Sequence, residues 1–366
     1  MIFQTLSSYN EKALPVAEEK FSYWVPADRL YGEISVPQIP SLQYNKSTPI
    51  IRQNFHLAFP DTAYVYAVEK PREKLDTFDN ARDTISILGF SPDNFTELIP
   101  ATEYLWGKDN STKQITFNTS TRKWEMTTDW YENAAALGLK SISSDITYYA
   151  SEAKELLNSL GFTGLGLSSG QAEIRYSVLG LDGIFFEAET VNEADFVFIS
   201  IFRKLPQSIV RVREEIPEAY RETVPENTVG KVYSTDPREG QVNLIVSNQL
   251  KNYPSDVFSI DFVDFDYSTP ALYEVVTPDE ALTNLQRGNG SLVYFQDSNT
   301  DYFANLSTNV AVTEFRVDAT RTELAYWEPE DWAGYTYPIY VFKGVARLEN
   351  GGLANFTFFV DAIKRL

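Results

Sequence analysis

Cysteine is absent from this chain of 366 residues. That removes disulfides, thiol nucleophiles and thiolate metal sites together. It does not fix the compartment, because cysteine-free chains are common on both sides of a membrane. Histidine occurs once, as His56, which removes multi-histidine metal centres. It sits in the alternating run Asn54-Phe55-His56-Leu57-Ala58-Phe59, where a strand-surface or core role is favoured over a Ser-His-Asp set. Cations are scarce: 31 Lys and Arg face 51 Asp and Glu, a net charge of -20. Such a surface repels phosphate backbones and anionic headgroups, so no nucleic-acid partner is expected. Long apolar runs are also missing, with none approaching the roughly 20 residues of a spanning helix. Met1 to Thr5 carries neither the basic leader nor the apolar segment of a signal peptide. The partly amphipathic residues 1–24, with Leu14-Pro15 inside them, suggest a start just after a trimmed membrane anchor.

What is present is core-forming material. Hydrophobic residues make up 43% and aromatics 14%, enough for two or three compact domains of this length. One helix ending is written twice, as Ile85-Ser86-Ile87-Leu88-Gly89-Phe90 and as Leu157-Asn158-Ser159-Leu160-Gly161-Phe162. In each, Gly can take the left-handed conformation that stops a helix, and Phe can fold back on the last turn. The periodicity predicts helices over Thr77–Leu88 and Asp145–Leu160. A third, from Pro278 to about Arg287, opens with Thr277 as cap, Pro278 at the first position and Glu280 at the third. Strand-like sequence comes after each, so a repeated helix-plus-sheet unit is expected. Hairpins are predicted across residues 118–122, across Gly180-Leu181-Asp182-Gly183 and across Asn350-Gly351-Gly352. Phe196 to Phe202 is apolar at nearly every position, which suits an interior strand covered on both faces. Tyr31 to Pro49 carries Pro37, Pro40 and Pro49 and reads as an extended linker or edge strand.

Candidate chemistry is thin. Asp297-Ser298-Asn299-Thr300-Asp301 begins like a calcium loop, but the positions that need Gly and a bidentate carboxylate hold Tyr302 and Thr308, so a turn is expected. Gly164-Leu165-Gly166-Leu167-Ser168-Ser169-Gly170 comes after a helix instead of opening one, which excludes a dinucleotide fingerprint. Sequons at Asn45, Asn94, Asn110, Asn118, Asn289, Asn305 and Asn355 fall largely in turn-like sequence. The richest cluster sets Glu328, Glu330 and Asp331 among Tyr326, Trp327, Trp332, Tyr335 and Tyr337. Three structures suit that composition: a hairpin loop whose aromatics cover a sheet, an aromatic rim that binds sugar, or a carboxylate pair of the glycosidase type. The five aromatics are the candidate ligand-binding residues. No catalytic residue, metal site or cofactor is expected.

The order of motifs carries a resemblance. Thr277-Pro278-Asp279-Glu280-Ala281-Leu282-Thr283-Asn284-Leu285, then Leu324 to Pro329, Tyr337 to Gly344 and Phe359 to Ile363, resemble the helix start and last strands of PepSY and YycH/YycI-type modules. Tyr31 to Pro37, Phe59 to Tyr66, the two Leu-Gly-Phe endings and Glu193 to Lys204 resemble uncharacterised, N-terminally anchored envelope proteins of candidate-phyla (Patescibacteria-type) bacteria. The resemblance spans residues 30–363 but rests on short structural motifs, so no functional residue is carried over. It implies an extracytoplasmic, membrane-tethered protein without catalytic residues, whose partner is another envelope protein such as a sensor kinase.

The resulting expectation is an α+β protein of two lobes, each a twisted antiparallel sheet packed on one or two helices. The divisions are a juxtamembrane segment and linker over 1–40, an N-terminal lobe with two helix-sheet units over 41–222, and a C-terminal PepSY/YycI-like lobe over 223–366. The expected role is non-catalytic binding of an envelope protein. A surface sugar- or ligand-binding protein using residues 326–337 is the first alternative, and a carboxylate glycoside hydrolase the second.

Overall fold

The computed structural model describes residues 21–51, 59–70, 77–107, 113–129, 142–247, 257–263, 265–306, 311–329 and 332–365. In chain order the elements are β1 (Ile50–Ile51), β2 (Thr62–Ala67), α1 (Thr77–Ile87), β3 (Phe95–Ile99), β4 (Glu103–Gly107), β5 (Lys113–Asn118), β6 (Lys123–Thr128), α2 (Ile146–Ser159), β7 (Gln171–Leu179), β8 (Phe185–Glu187), β9 (Phe196–Phe202), β10 (Lys204–Pro206), β11 (Val229–Tyr233), β12 (Val242–Val246), β13 (Val257–Val263), β14 (Ala271–Glu274), α3 (Pro278–Gln286), β15 (Ser291–Asp297), β16 (Val312–Val317), β17 (Glu323–Trp327), β18 (Tyr335–Leu348) and β19 (Leu353–Asp361). Strands dominate and the helices lie between groups of strands, which is α+β.

The three α-helices among the described residues end alike. Gly89, Gly161 and Gly288 have φ of 77°, 79° and 84°. The amide after each glycine reaches back to a carbonyl five residues earlier: Phe90 to Ile85, Phe162 to Leu157 and Asn289 to Asn284. The glycine amides bond Ser86, Asn158 and Leu285. This is the Schellman arrangement, and it satisfies carbonyls that the helix itself leaves open. At the other end of α3, Thr277 and Glu280 form a capping box. Asp145 caps α2 by accepting from the amides of Thr147 and Tyr148. The strands after the three endings differ: α1 leads into the β3–β6 meander, α2 into the β7–β8 hairpin, and α3 into the single strand β15. The repetition is thus clearest in the helix endings.

One sheet has nine strands, in the order β3-β4-β5-β6-β13-β12-β9-β7-β8, with every pair antiparallel. Alternation along the strands turns most of their fully buried apolar residues to one face. Two rows cross it there. Ala172, Ile201, Val242, Phe262, Trp124, Phe117 and Tyr104 are successive cross-strand partners. So are Ile174, Ile199, Leu244, Ile260, Met126, Ile115 and Trp106. Ala81, Ile85 and Leu88 of the α1 segment and Tyr149, Ala153, Leu156 and Leu157 of α2 close over these rows as one core. Each large side chain so buried contributes about 1.5–3 kcal/mol.

The other sheet has ten strands built around the long strand β18. The β18 run is buried on both faces: Tyr340 and Phe342 pack beneath Ala281, Leu282 and Leu285 of α3, and Ile339 and Val341 join Val65, Tyr233, Tyr273 and Trp327 on the opposite side. Antiparallel pairing was expected throughout, but β1–β16 and β11–β17 are parallel, so this sheet is mixed. Strand direction between segments some 90 or more residues apart is fixed by tertiary packing, and alternation within one strand does not encode it.

The pairing does not respect a division at residues 222 and 223. The chain leaves the nine-stranded sheet at Phe202, enters the ten-stranded sheet with β10 and β11, returns for β12 and β13, and leaves again at β14. Phe202 marks the crossing: it ends β9 yet packs in the second core against Tyr233, which in turn packs on Phe359. Proline-rich residues 31–49 run extended, as expected, but are fastened to the ten-stranded sheet. Ile34 is buried, Leu42 donates its amide to Leu292, and Arg365 donates to the Ile34 carbonyl. Residues 1–20 and His56 lie outside the described residues.

Candidate functional site

The outer face of the nine-stranded sheet, opposite its helices, is only partly covered. Two adjacent cross-strand rows form a floor. One row is polar: Glu173, Ser200, Asn243 and Asp261 are successive partners on β7, β9, β12 and β13. The next is more apolar: Arg175, Phe198, Ile245 and Ser259. Same-face residues on one strand lie about 7 Å apart, so the rows stand side by side. Residues 183–185 of the β7–β8 hairpin, Arg238 and Glu239, and Tyr302 and Phe303 rise around them. Together they enclose a cavity of about 410 Å³.

Its apolar end is an aromatic cluster. The rings of Phe185 and Phe198 are 4.9 Å apart at their centroids, and those of Phe198 and Phe303 are 4.4 Å apart. Tyr302 holds the adjoining wall. The Arg175 guanidinium lies 3.5 Å from the Tyr302 ring centre and bonds Glu187 at 2.8 Å. Arg238 grips Asp236 with bonds of 2.8 to 3.1 Å and donates to the carbonyls of Tyr302 and Ala304 at 2.8 and 3.1 Å. Burial pushes the Tyr302 phenol above its ordinary range, and Arg175 draws it the other way.

The polar end is carboxylate-rich. Glu173 is ion-paired to Lys231, whose buried ammonium also sits 3.4 Å from the Phe202 ring centre. Burial lowers the Lys231 pKa, while Glu173 opposes that shift. Asn243 is spent on Gly240, whose amide and carbonyl it bonds at 3.0 Å each. Asp261 is 3.9 Å from Lys123, which also stands 3.8 Å from Glu125. Glu239 and Asp261 extend into a second, smaller hollow of about 50 Å³.

The five aromatics singled out in the sequence do not converge on an open surface. Tyr326, Trp327 and Tyr337 are buried, and the Tyr326 hydroxyl bonds Pro206 inside the protein. Tyr335 is half-buried against Tyr31 and Tyr337. Trp332 is 44% exposed, with its indole N–H bonded to the Val68 carbonyl. The strand alternation of β17 and β18 explains this for Tyr326, Trp327 and Tyr337, which serve the faces of a sheet covered on both sides. Glu328 is only 4% exposed and accepts from Tyr267 and Thr336. Burial pushes its carboxyl up, and Arg203 moderates the shift. Glu330 and Asp331 lie outside the described residues.

The calcium-like segment is a turn. Asp297 accepts from the Asn299 amide, and Asp301 accepts from the amides of Phe303 and Glu187. The last of these bonds pins the loop that carries Tyr302 and Phe303 to strand β8. Among the described residues no group of three or more acids or histidines is placed to hold a metal ion. Asn45 and Asn118 turn their side-chain oxygens onto the amides of Ser47, Ser120 and Thr121, as turn residues do. Residues 164–170 form a loop docked on β10 through the Lys204 amide. The cleft itself was not anticipated. A signal for it existed in the outward positions of β7 and β9, where Glu173, Arg175 and Ser200 interrupt otherwise apolar strands. No protein-family model matches the chain, and no curated protein matches it.

Proposed function

We propose that this chain is a non-catalytic binding module, extracytoplasmic and membrane-tethered, that engages another envelope protein. The observation that carries the reading is the β7–β8 hairpin at the rim of the cleft. Leu181 is 99% exposed at its tip, and Ile184 and Phe186 are 54% and 44% exposed beside it. Gly180 and Gly183 close the turn through the bonds Gly180 to Ile184 and Gly183 to Gly180. Solvent alone gives no reason to place a leucine there, and clustered exposed apolar residues beside a cleft favour contact with a partner. The charges of the cleft support binding over chemistry. Arg175, Arg238 and Lys231 are each committed to an internal carboxylate. Location and tether rest on the resemblance in motif order; no helix among the described residues is long and apolar enough to cross a membrane.

The test is photo-crosslinking in the source cells, with a photoreactive residue in place of Phe186 and, as control, in place of Glu97 on the far edge strand. A discrete adduct from position 186 that disappears with Leu181→Ser and Ile184→Ser is expected. No adduct at 186, or the same adduct from 97, would contradict the reading.

A further inference from the structure

We infer that β3, the open edge of the nine-stranded sheet, accepts an added strand from a second protein, one that sets a lysine or arginine across from Glu97 and an apolar residue across from Phe95. The site goes beyond the hairpin contact proposed above and lies at the opposite edge of the same sheet. β3 pairs only with β4, and all five of its residues, Phe95 to Ile99, are exposed. Among the described residues, no backbone group from Phe95 to Leu98 bonds anything except β4. A row of N–H and C=O groups therefore faces outward, which is the template that a further strand uses. The edge at β8 is different: Asp301 takes the Glu187 amide there.

The side chains of β3 select what is added. Phe95 lies across from Trp106 and Glu97 across from Tyr104, so both belong to the face that α1 covers. The Phe95 ring is 5.2 Å from that of Phe78 on α1, which leaves an apolar shelf at the rim of the helix. Phe95, Leu98 and Ile99 are 37%, 48% and 49% exposed, an apolar group that solvent alone does not favour. Glu97 makes no ion pair among the described residues. Proline and lysine, which blunt many natural edges, are absent from β3, and its blunting devices are a bulge between Glu97 and Ile99 and the Glu97 charge. That charge discriminates. A second copy of this chain would bring another acidic edge, on a molecule of net charge -20, and meets repulsion. A strand with an ammonium or guanidinium at that position meets attraction, and the apolar residue two places along reaches Phe95 on the same face.

Isothermal calorimetry and hydrogen exchange on the full chain test this. The probes are three capped peptides: acetyl-Thr-Phe-Thr-Lys-Thr-Val-Thr-amide, the same peptide with Glu for Lys, and the lysine peptide N-methylated on its lysine and on the threonine before it, which blocks an amide on each edge. Saturable binding of the lysine peptide is expected, about fivefold tighter than that of the glutamate peptide. It should also be about tenfold tighter than that of the N-methylated form, because strand addition needs the main-chain bonds. Glu97→Lys should reverse the order of the two charged peptides, whereas Glu155→Lys, the same change on an exposed position of α2, should leave it unchanged. Circular dichroism checks that both variants fold, and the N-methylated peptide tests the parent chain whatever they do. Exchange should slow at residues 95–99 on adding the lysine peptide and stay unchanged at 181–187. No saturable binding, equal binding of the N-methylated peptide, an unchanged order in a folded Glu97→Lys variant, or slowed exchange at 181–187 in place of 95–99 would overturn the inference. A crosslinked partner at position 186 together with a silent calorimeter would leave the hairpin reading standing and remove only the β3 site.

Discussion

Glu328 shows how a single side chain can fit several sequence readings and one place in the fold. In the sequence it heads an acidic, aromatic cluster that suits a sugar cleft. In the fold it is a buried carboxyl bonded to Tyr267 and Thr336, with Arg203 near enough to moderate its charge. Burial holds its pKa above the ordinary value of 4.5, so the native state keeps a proton that the unfolded chain releases. Stability from this group is therefore present below the unfolded pKa and declines as pH rises through the folded one. Asp361 is raised for the same reason, burial, and acts with the same sign. Glu274, lowered by its hydrogen bond from Arg29, and Glu280, lowered by the Thr277 amide, act with the opposite sign as pH falls. Comparing Glu328→Gln with the parent isolates the first effect. The variant is expected to gain on the parent in urea-unfolding midpoints as pH rises from the ordinary value of 4.5 through the raised pKa of the native state. A difference that does not change with pH would contradict the assignment.

At the scale of elements, the local signals were legible and the distant ones were not. Helix endings, the α3 capping box and the hairpin turns are short-range chemistry, and Gly89, Gly161, Thr277 and Gly351 declare them within a few residues. The cleft is assembled from β7, β9, β12 and β13, which span residues 171–263, and from a loop at 302 and 303. Nothing local states which strands become neighbours, so Ser200 and Asp261 could not be placed in one row. The ending motif itself makes a direct prediction. A methyl added to Gly161 meets nothing within 4 Å, so Gly161→Ala costs only its left-handed backbone, about 1 kcal/mol. Gly107→Ala, equally open and without a positive φ, should fall within about 0.5 kcal/mol of the parent. Chemical denaturation of the two variants checks both. On the hairpin, Leu181→Ser removes no buried contact, so its stability should also stay within about 0.5 kcal/mol while the crosslink at position 186 is lost.

For the whole molecule, the junction at Phe202 matters most. The chain passes between the sheets there, with Phe202 under Lys231 and against Tyr233 in the core of the ten-stranded sheet. Phe202→Ala is expected to cost about 3–5 kcal/mol, and to weaken amide protection in β9 and β11 alike. Loss confined to one sheet would show that the junction does not couple them. The α+β class was legible from composition and periodicity because both reflect the local alternation of buried and exposed faces. The mixed ten-stranded sheet, and the return of β12 and β13 to the nine-stranded one, depend on contacts between distant segments, where periodicity is silent. The central claim is that the chain acts through the outer face of the nine-stranded sheet and not through the aromatic residues 326–337. Hydrogen exchange of the chain with and without its crosslink-identified partner tests that claim most directly. Added protection at residues 181–187, 198–200 and 300–304, with residues 326–337 unchanged, is the predicted result; protection concentrated at 326–337, with the hairpin and cleft unaffected, would contradict it.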